Sequence, residues 1–291
     1  MEIDVYDIAL ENGSKLKDRY LIEQVYYWGH TSILYLATDT LTKERVAVKE
    51  FCPYFYANRD MDGKTVICKG KRYERAYKNA YRAFMQECEI VKKLQDLKET
   101  REGYILRYQD DFQENETIYL VTEFIEGTSL DEVVENEMDF PFRECVSRLI
   151  KLVRAIHKIG IYHRDIKPAN IIFRKSGSIV LIDFGSACYK EKQNTELVFV
   201  SRGYSAPELY SRMPSGEETD VYSIGALLYY LLSRRQMPGA DERMKQEEME
   251  PLEDLVEVPK SISYMINKAV TLEPEKRLKS LWLLEKLMEK Q

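Results

Sequence analysis

The stretch "IYHRDIKPANIIFRKSGSIVLIDFGSA", residues 161–187, gathers the side chains of this sequence best suited to chemistry. Two runs rich in β-branched and aromatic residues, Ile171–Phe173 and Ile179–Ile182, flank the turn-rich connection "RKSGS", a pattern that predicts a β-hairpin. A hairpin returns the chain to where it left. Asp165, Lys167 and Asn170, just before the first strand, are thereby brought toward Asp183, just after the second. Two carboxylates, an amide oxygen and an ammonium on one rim suit a divalent cation and a phosphate. Mg²⁺ prefers such hard oxygen ligands and keeps waters and substrate phosphates as the rest of its shell.

The elements that must position these groups follow from the patterning. Residues 20–50 alternate short β-like runs with turns and end in "RVAVKEF"; residues 71–97 carry a helical pattern, and "TIYLVTEFI" (117–125) is again strand-like. After about residue 141 the chain is mainly helical apart from the hairpin. Val146, Leu149, Ile150, Val153 and Ile156 repeat at helical spacing, and Gly160 stands where a helix would end. The expected architecture is α+β and bilobal. An N-terminal extension (1–19) precedes a small β-rich lobe with one main helix (20–126), and a larger, mainly helical lobe follows (127–291). Ligand sites tend to lie at such seams.

These motifs, in this order, resemble the protein kinases, specifically the eukaryotic-like serine/threonine kinases of bacteria. "HRDIKPAN" looks like the catalytic loop, "DFG" (183–185) like the metal-binding turn, and "VAVK" like the strand carrying the phosphate-pairing lysine. "GYSAPE" (203–208) looks like the end of an activation segment, and "DVYSIGALLYYLL", opening at Asp220, is similar to the buried central helix of the large lobe. The resemblance runs from about Tyr20 to the C-terminus.

The resemblance implies roles. Asp165 would accept or orient the substrate's hydroxyl proton, and Lys167 would neutralise the transferred phosphoryl group. Asn170 and Asp183 would hold Mg²⁺, and Lys49 the α- and β-phosphates of ATP. Glu87 rather than Glu89 would pair with Lys49, because Ile90 and Val91 follow Glu87 at helical spacing whereas Lys92 and Lys93 follow Glu89. A plain structural ion pair is the alternative for Lys49 and Glu87. Ala47 shares a strand face with Lys49 and would touch adenine. Thr122 would be the gatekeeper, Glu123 to Ile125 the hinge, and Gly29 and Ile172 further nucleotide contacts. Arg164 would pair with a phosphorylated residue, Thr195 being one candidate, or with a nearby carboxylate. Ser201 matches a hydroxyl that contacts the catalytic loop, and Arg277 of "EPEKR" would pair with Glu208.

Two departures stand out. The G-x-G-x-x-G pattern falls on Tyr27, Trp28, Gly29, His30, Thr31 and Ser32, so only the middle glycine survives. If the outer positions require a left-handed backbone, each substitution costs roughly 1–2 kcal/mol and weakens ATP binding. A long segment also separates Lys49 from Glu87; it contains the turn signal "MDGK" and resembles an extension seen in some bacterial kinases. Residues 50–86 could receive a regulatory partner or simply pad the lobe.

Composition sets the outer bounds. At 44% apolar and 32% charged, the 291 residues can build a core, and a net charge of −6 argues against nucleic acid as the main partner. Five cysteines without a C-x-x-C pair give no zinc signature. The N-terminus lacks the pattern of a signal peptide, and "VYSIGALLYYLL" is too short to span a bilayer, so a cytoplasmic location is expected. The leading expectation is an ATP- and Mg²⁺-dependent kinase acting on serine or threonine hydroxyls of protein substrates. Its rivals are a pseudokinase scaffold, suggested by the glycine-poor loop, and a small-molecule phosphotransferase, against which "GYSAPE" and Asp220 count.

Overall fold

The computed structural model describes residues 8–193 and 198–289. These divide into two compact units, one of residues up to 95 with 106–125, the other of residues 96–105 with 126 onward.

The first unit is built on a sheet of strands β1 (Lys15–Leu16), β2 (Tyr20–Trp28), β3 (Ser32–Asp39), β4 (Arg45–Phe51), β7 (Tyr108–Glu114) and β8 (Thr117–Glu123), in the order β1-β2-β3-β4-β8-β7. Alternation along β4 explains how the sheet is covered on both faces. Ala47, Lys49 and Phe51 share the side of helix α1 (Glu74–Leu94), where the Phe51 ring meets those of Tyr77, Tyr81 and Phe84. Ala80, Phe84, Glu87, Cys88, Val91 and Leu94 recur at helical spacing and form the buried stripe of α1.

Val46, Val48 and Glu50 point the other way. There the inserted segment supplies the hairpin β5 (Ala57–Arg59) and β6 (Val66–Cys68), and Ala57 and Val66 join Ile8, Leu10, Leu16, Tyr35 and Tyr119 in one apolar cluster. Ile8, Ala9, Leu10 and Leu16 are therefore part of the sheet's core. The buried carboxylate of Glu50 is fully engaged at this face. It accepts from Arg59 (2.7 and 2.8 Å), Tyr35 OH (2.7 Å) and Tyr119 OH (2.8 Å), while Arg59 Nε also donates to the Ile8 carbonyl at 2.8 Å. A buried charge is tolerated only when paired and hydrogen-bonded in this way.

The second unit is mainly helical, with α2 (Lys98–Arg101), α3 (Leu130–Glu135), α4 (Phe142–Lys158), α5 (Pro207–Tyr210), α6 (Glu217–Ser233), α7 (Ala240–Arg243), α8 (Leu252–Leu255), α9 (Lys260–Ala269) and α10 (Leu281–Glu289). Helix α6 is apolar on nearly every side and accordingly buried from Thr219 to Tyr229. The expected hairpin is present: β11 (Ile171–Phe173) pairs antiparallel with β12 (Ile179–Leu181), and β9 (Thr128–Ser129) adds a third strand. Strand β12 ends one residue before the expected Ile182, whose N–H goes instead to the Asn170 carbonyl at 2.9 Å.

Two further short strands, β10 (Ile161–Tyr162) and β13 (Cys188–Tyr189), pair with each other and escape the sequence pattern. A two-residue strand carries no periodicity. Residues 96–105 join this unit through a parallel bridge of Ile105 to Leu181, with the Leu181 N–H on the Tyr104 carbonyl at 2.9 Å. Gly127 marks a close approach, since a Cβ there would lie 2.5 Å from both Ile172 Cγ2 and the Phe173 carbonyl. Among the described residues no helix is long and apolar enough to cross a membrane.

Candidate active site

In the second unit, the loop after β10 is fixed from beneath by Asp220, fully buried in the first turn of α6. Its Oδ1 accepts the Arg164 N–H at 2.7 Å, and its Oδ2 accepts the His163 N–H at 2.9 Å and lies 2.7 Å from His157 Nε2. Burial alone would push this carboxyl's pKa up. The His157 hydrogen bond, the neighbouring imidazoles and the His163 N–H outweigh it, and Asp220 lies below the usual carboxylate range. These bonds hold Arg164 in a left-handed backbone conformation, φ 67°, a strain of about 1–2 kcal/mol for a non-glycine residue.

Burial pushes the His163 imidazole pKa down, with the carboxylates of Asp220, Asp165 and Asp183 opposing, so the ring is neutral. His163 Nδ1 accepts the Asp165 N–H at 3.3 Å, which leaves the ring proton on the unpartnered Nε2.

The Asp165 carboxylate is gripped on both oxygens. Ser201 Oγ donates to Oδ1 at 2.7 Å; Lys167 Nζ (2.9 Å) and Asn170 Nδ2 (3.0 Å) meet Oδ2. Lys167 also donates to Ser201 Oγ at 3.0 Å, closing a ring of Asp165, Lys167 and Ser201. Asn170 Nδ2 reaches the Asp165 carbonyl as well, at 2.9 Å. The reverse amide orientation would set its oxygen against two oxygens, so hydrogen bonding fixes Oδ1 as the outward group.

The hairpin register carries Asp183 to the same place, because the Asn170 carbonyl bonds the N–H of Ile182. Asp183 is exposed with φ 60°, a conformation Asp tolerates better than most residues, and its Oδ1 accepts the Gly185 N–H at 3.2 Å. Phe184 turns inward and packs on His163, ring centroids 4.8 Å apart. One amide oxygen and one carboxylate suit Mg²⁺, which takes a few protein oxygens and leaves the rest to water and phosphate. Among the described residues no group of three or more His, Cys, Asp or Glu is placed to form a closed metal cage.

The segment after Ser201 is anchored at its far end. Arg277, fully buried, binds Glu208 through two nitrogens at 2.8 and 3.1 Å, and Thr219 Oγ1 adds 2.8 Å to Glu208 Oε1. Arg164 Nε donates to the Ser186 carbonyl at 2.5 Å. Thr195 lies outside the described residues. Ile172, half-buried, sits mid-hairpin between Val180 and Ser129.

In the first unit, Lys49 Nζ lies 2.6 Å from Glu87 Oε1, and Glu87 is buried on α1 whereas Glu89 is exposed. Ala47 pairs with Leu36 on one side and Thr122 on the other, and Lys49 with Leu34 and Leu120. Directly opposite residues share a face, so Leu34, Leu36 and Leu120 belong beside Ala47, Lys49 and Thr122. Sequence reading missed these leucines, although the β3–β4 turn fixes the register that reveals Leu34 and Leu36. It also missed Asp220 and His157 as supports of the loop. The Glu123 N–H bonds the Arg107 carbonyl at 2.9 Å and its carbonyl accepts from Thr122 Oγ1 at 3.4 Å; Ile125 ends the unit.

The turn Gly29–Thr31 decides the condition on which the strain depended. Tyr27, Gly29 and Ser32 are all outside the left-handed region, and Gly29 donates its N–H to the Ser32 carbonyl at 2.9 Å. The strain expected from missing glycines is absent.

Residues 28–290 match the family described as protein kinase domain. Among curated relatives, the chain is 29% identical over 276 residues to serine/threonine-protein kinase D of Synechocystis, covering 90% of this chain and 50% of that protein. It is 26% identical over 278 residues to a probable serine/threonine-protein kinase of Clostridium acetobutylicum, covering 91% and 38%. A solved structure described as "PpkA-294 apo form" shares the fold with a TM-score of 0.80 at 24% identity, covering 96% of this chain and 99% of that one. The chain spans about half or less of the length of these two curated relatives. With the fold, the family match and these relatives in agreement, the chain belongs to the protein kinase domain family, in its eukaryotic-like serine/threonine branch.

Proposed function

We propose that the protein transfers the γ-phosphoryl group of ATP, with Mg²⁺, to serine or threonine hydroxyls of protein substrates, its own chain included. The observation that carries this reading is the Asp165 carboxylate, held on both oxygens by Ser201, Lys167 and Asn170. A carboxylate so oriented can receive a hydroxyl proton, while the adjacent ammonium of Lys167 neutralises charge gathering on the phosphoryl oxygens. Asn170 Oδ1 and Asp183 would hold Mg²⁺, which would supply positive charge to offset that of the phosphates. Lys49, held by Glu87, would grip the α- and β-phosphates. Adenine would rest against Ala47 and Thr122, beside the hinge Glu123–Ile125, with Gly29 near the phosphates; Ile172 would be a further nucleotide contact.

A protein substrate is favoured over a small molecule because the segment following Ser201 is built as a fixed surface, tied down by the buried Glu208–Arg277 pair. The relatives named serine/threonine-protein kinases support the same choice. A cytoplasmic setting is favoured by five free thiols. The test is radiolabelled transfer from ATP in the presence of Mg²⁺, with mass-spectrometric mapping of the modified residues. Wild type is expected to label itself or a peptide library, and Asp165→Asn to lose activity by about 10²–10⁴-fold. Equal labelling in the variant would overturn the assignment.

A further inference from the structure

The family match leaves two features of the first unit without a role: the aromatic, glycine-poor turn and the inserted segment after β4. They touch each other. The turn Gly29–Thr31 is flanked by Trp28 and carries His30, and the insertion opens with Pro53, Tyr54 and Phe55. The Trp28 and Tyr54 rings lie 5.6 Å apart, His30 and Phe55 5.4 Å, and His30 and Tyr54 6.1 Å, with His30 Nδ1 3.2 Å from Tyr54 OH. Tyr54 and Phe55 pack on each other at 4.3 Å.

The platform beneath them is firm. Tyr54–Tyr56 form a turn closed by the Pro53 carbonyl, which accepts the N–H groups of Tyr56 (2.7 Å) and Ala57 (2.9 Å), and Cys52 and Ala57 on either side are buried. The Cys52 N–H also bonds the Thr31 carbonyl at 3.0 Å, so backbone and rings tie the same turn to the same platform. Yet the rings are only partly core: Trp28 is 36% exposed and Phe55 50% exposed, while Tyr54 is half-buried and rests on the apolar cluster beneath, so the outer part of the clasp sits on the surface.

We infer that Tyr54 and Phe55 are positioning residues for the phosphate-binding turn. A glycine-rich loop owes its close approach to phosphates to backbone freedom, and that freedom must be frozen when nucleotide binds. Here the turn is ordered in advance by rings supplied from the insertion. The two departures from the family pattern are then one device: the turn that lacks the outer glycines is held in place by the insertion instead of being left free until nucleotide binds. The inference rests on the ATP-dependent reading above, but its first readout does not.

Trp28 and Trp282 are the two tryptophans of the chain, so Trp282→Phe in the full 291-residue protein makes Trp28 the sole reporter. Acrylamide quenching of Trp28, without nucleotide, then reads the clasp directly. In Tyr54→Ala/Phe55→Ala the quenching constant is expected to rise, with the urea midpoint showing that the protein still folds. With ATP and Mg²⁺, KM for ATP is expected to rise about tenfold, equivalent to about 1.4 kcal/mol, with kcat within about twofold. Tyr54→Phe, which keeps the ring, is expected to behave as wild type in both. Quenching that does not change overturns the clasp, and raised quenching with an unaltered KM overturns its positioning role. Wild-type protein that binds no ATP, while quenching still separates the variants, rejects the kinase reading and the nucleotide part of this inference with it.

Discussion

Residues 163–170 of the second unit are held by short, directional bonds to buried and half-buried groups: Asp220 under His163 and Arg164, and Ser201, Lys167 and Asn170 around Asp165. Residues 28–32 of the first unit are held by rings near the surface, by strand pairing at both ends and by the backbone bonds of Gly29 to Ser32 and Cys52 to Thr31. The first arrangement tolerates almost no change of residue type, because each buried donor needs its own acceptor. The second needs flat apolar rings of about the right size, which several residues supply. Of the two arrangements, the polar half is therefore bound to its residue types, while the aromatic half can be built by different means.

Removing Asp220 is the strongest way to break the polar half. Asp220→Ala strands the N–H groups of His163 and Arg164 and the ring of His157 in a buried place. At roughly 1–3 kcal/mol for each buried donor left unmet, a loss of about 4 kcal/mol is expected. It would be read as a lower urea midpoint at unchanged slope. Phe55→Ala removes exposed ring contacts with His30 and Tyr54 worth only about 0.5–1.5 kcal/mol. Comparable losses in the two variants would sink the contrast.

The same asymmetry decides what could be read beforehand. The hairpin at 171–181 was legible because β-branched runs and the "RKSGS" turn are local signals, and with it came the meeting of Asn170 and Asp183. The choice of Glu87 over Glu89 was legible from the apolar spacing of α1. The Glu208–Arg277 pair spans 69 residues of sequence and was reached only through the family resemblance. Residues 96–105 joining the second unit were not legible, since one long-range bridge of Ile105 to Leu181 decides it. Nor was the covering of the sheet by residues 8–16 and the β5–β6 hairpin. Their apolar positions are few and far apart, and Arg59 reads as a surface charge until Glu50 is found against it.

A gentler probe of the polar half is pH. His163 is buried and neutral, its pKa held below the ordinary value chiefly by burial. In the unfolded chain a histidine titrates near 6.5. Above that pH both states are neutral and stability is at its full value. As pH falls below it, the unfolded chain takes up a proton that the fold refuses, and stability drops by up to about 1.4 kcal/mol per pH unit until the folded pKa is reached. Urea unfolding at pH 7.5 and 5.5 should show this slope in wild type. It should be shallower in His163→Phe, where a ring still packs on Phe184. Equal slopes would mean that His163 takes up its proton in the fold as readily as outside it.

The smallest expected effect tests the aromatic half by restoring what the family pattern has. Tyr27 and Ser32 are paired strand residues, opposite Leu34 and Phe51, with backbones any residue can adopt. Glycine at such positions relieves no strain and loses more conformational freedom on folding, about 0.5–1 kcal/mol each. Tyr27→Gly/Ser32→Gly should therefore be slightly less stable than wild type, with a KM for ATP no lower. The opposite result, ATP held about tenfold more tightly, would mean that the side chains at 27 and 32 obstruct the phosphates. The rings of Tyr54 and Phe55 would then stabilise a turn already impaired for its purpose, and the insertion would compensate for the fold rather than for the chemistry.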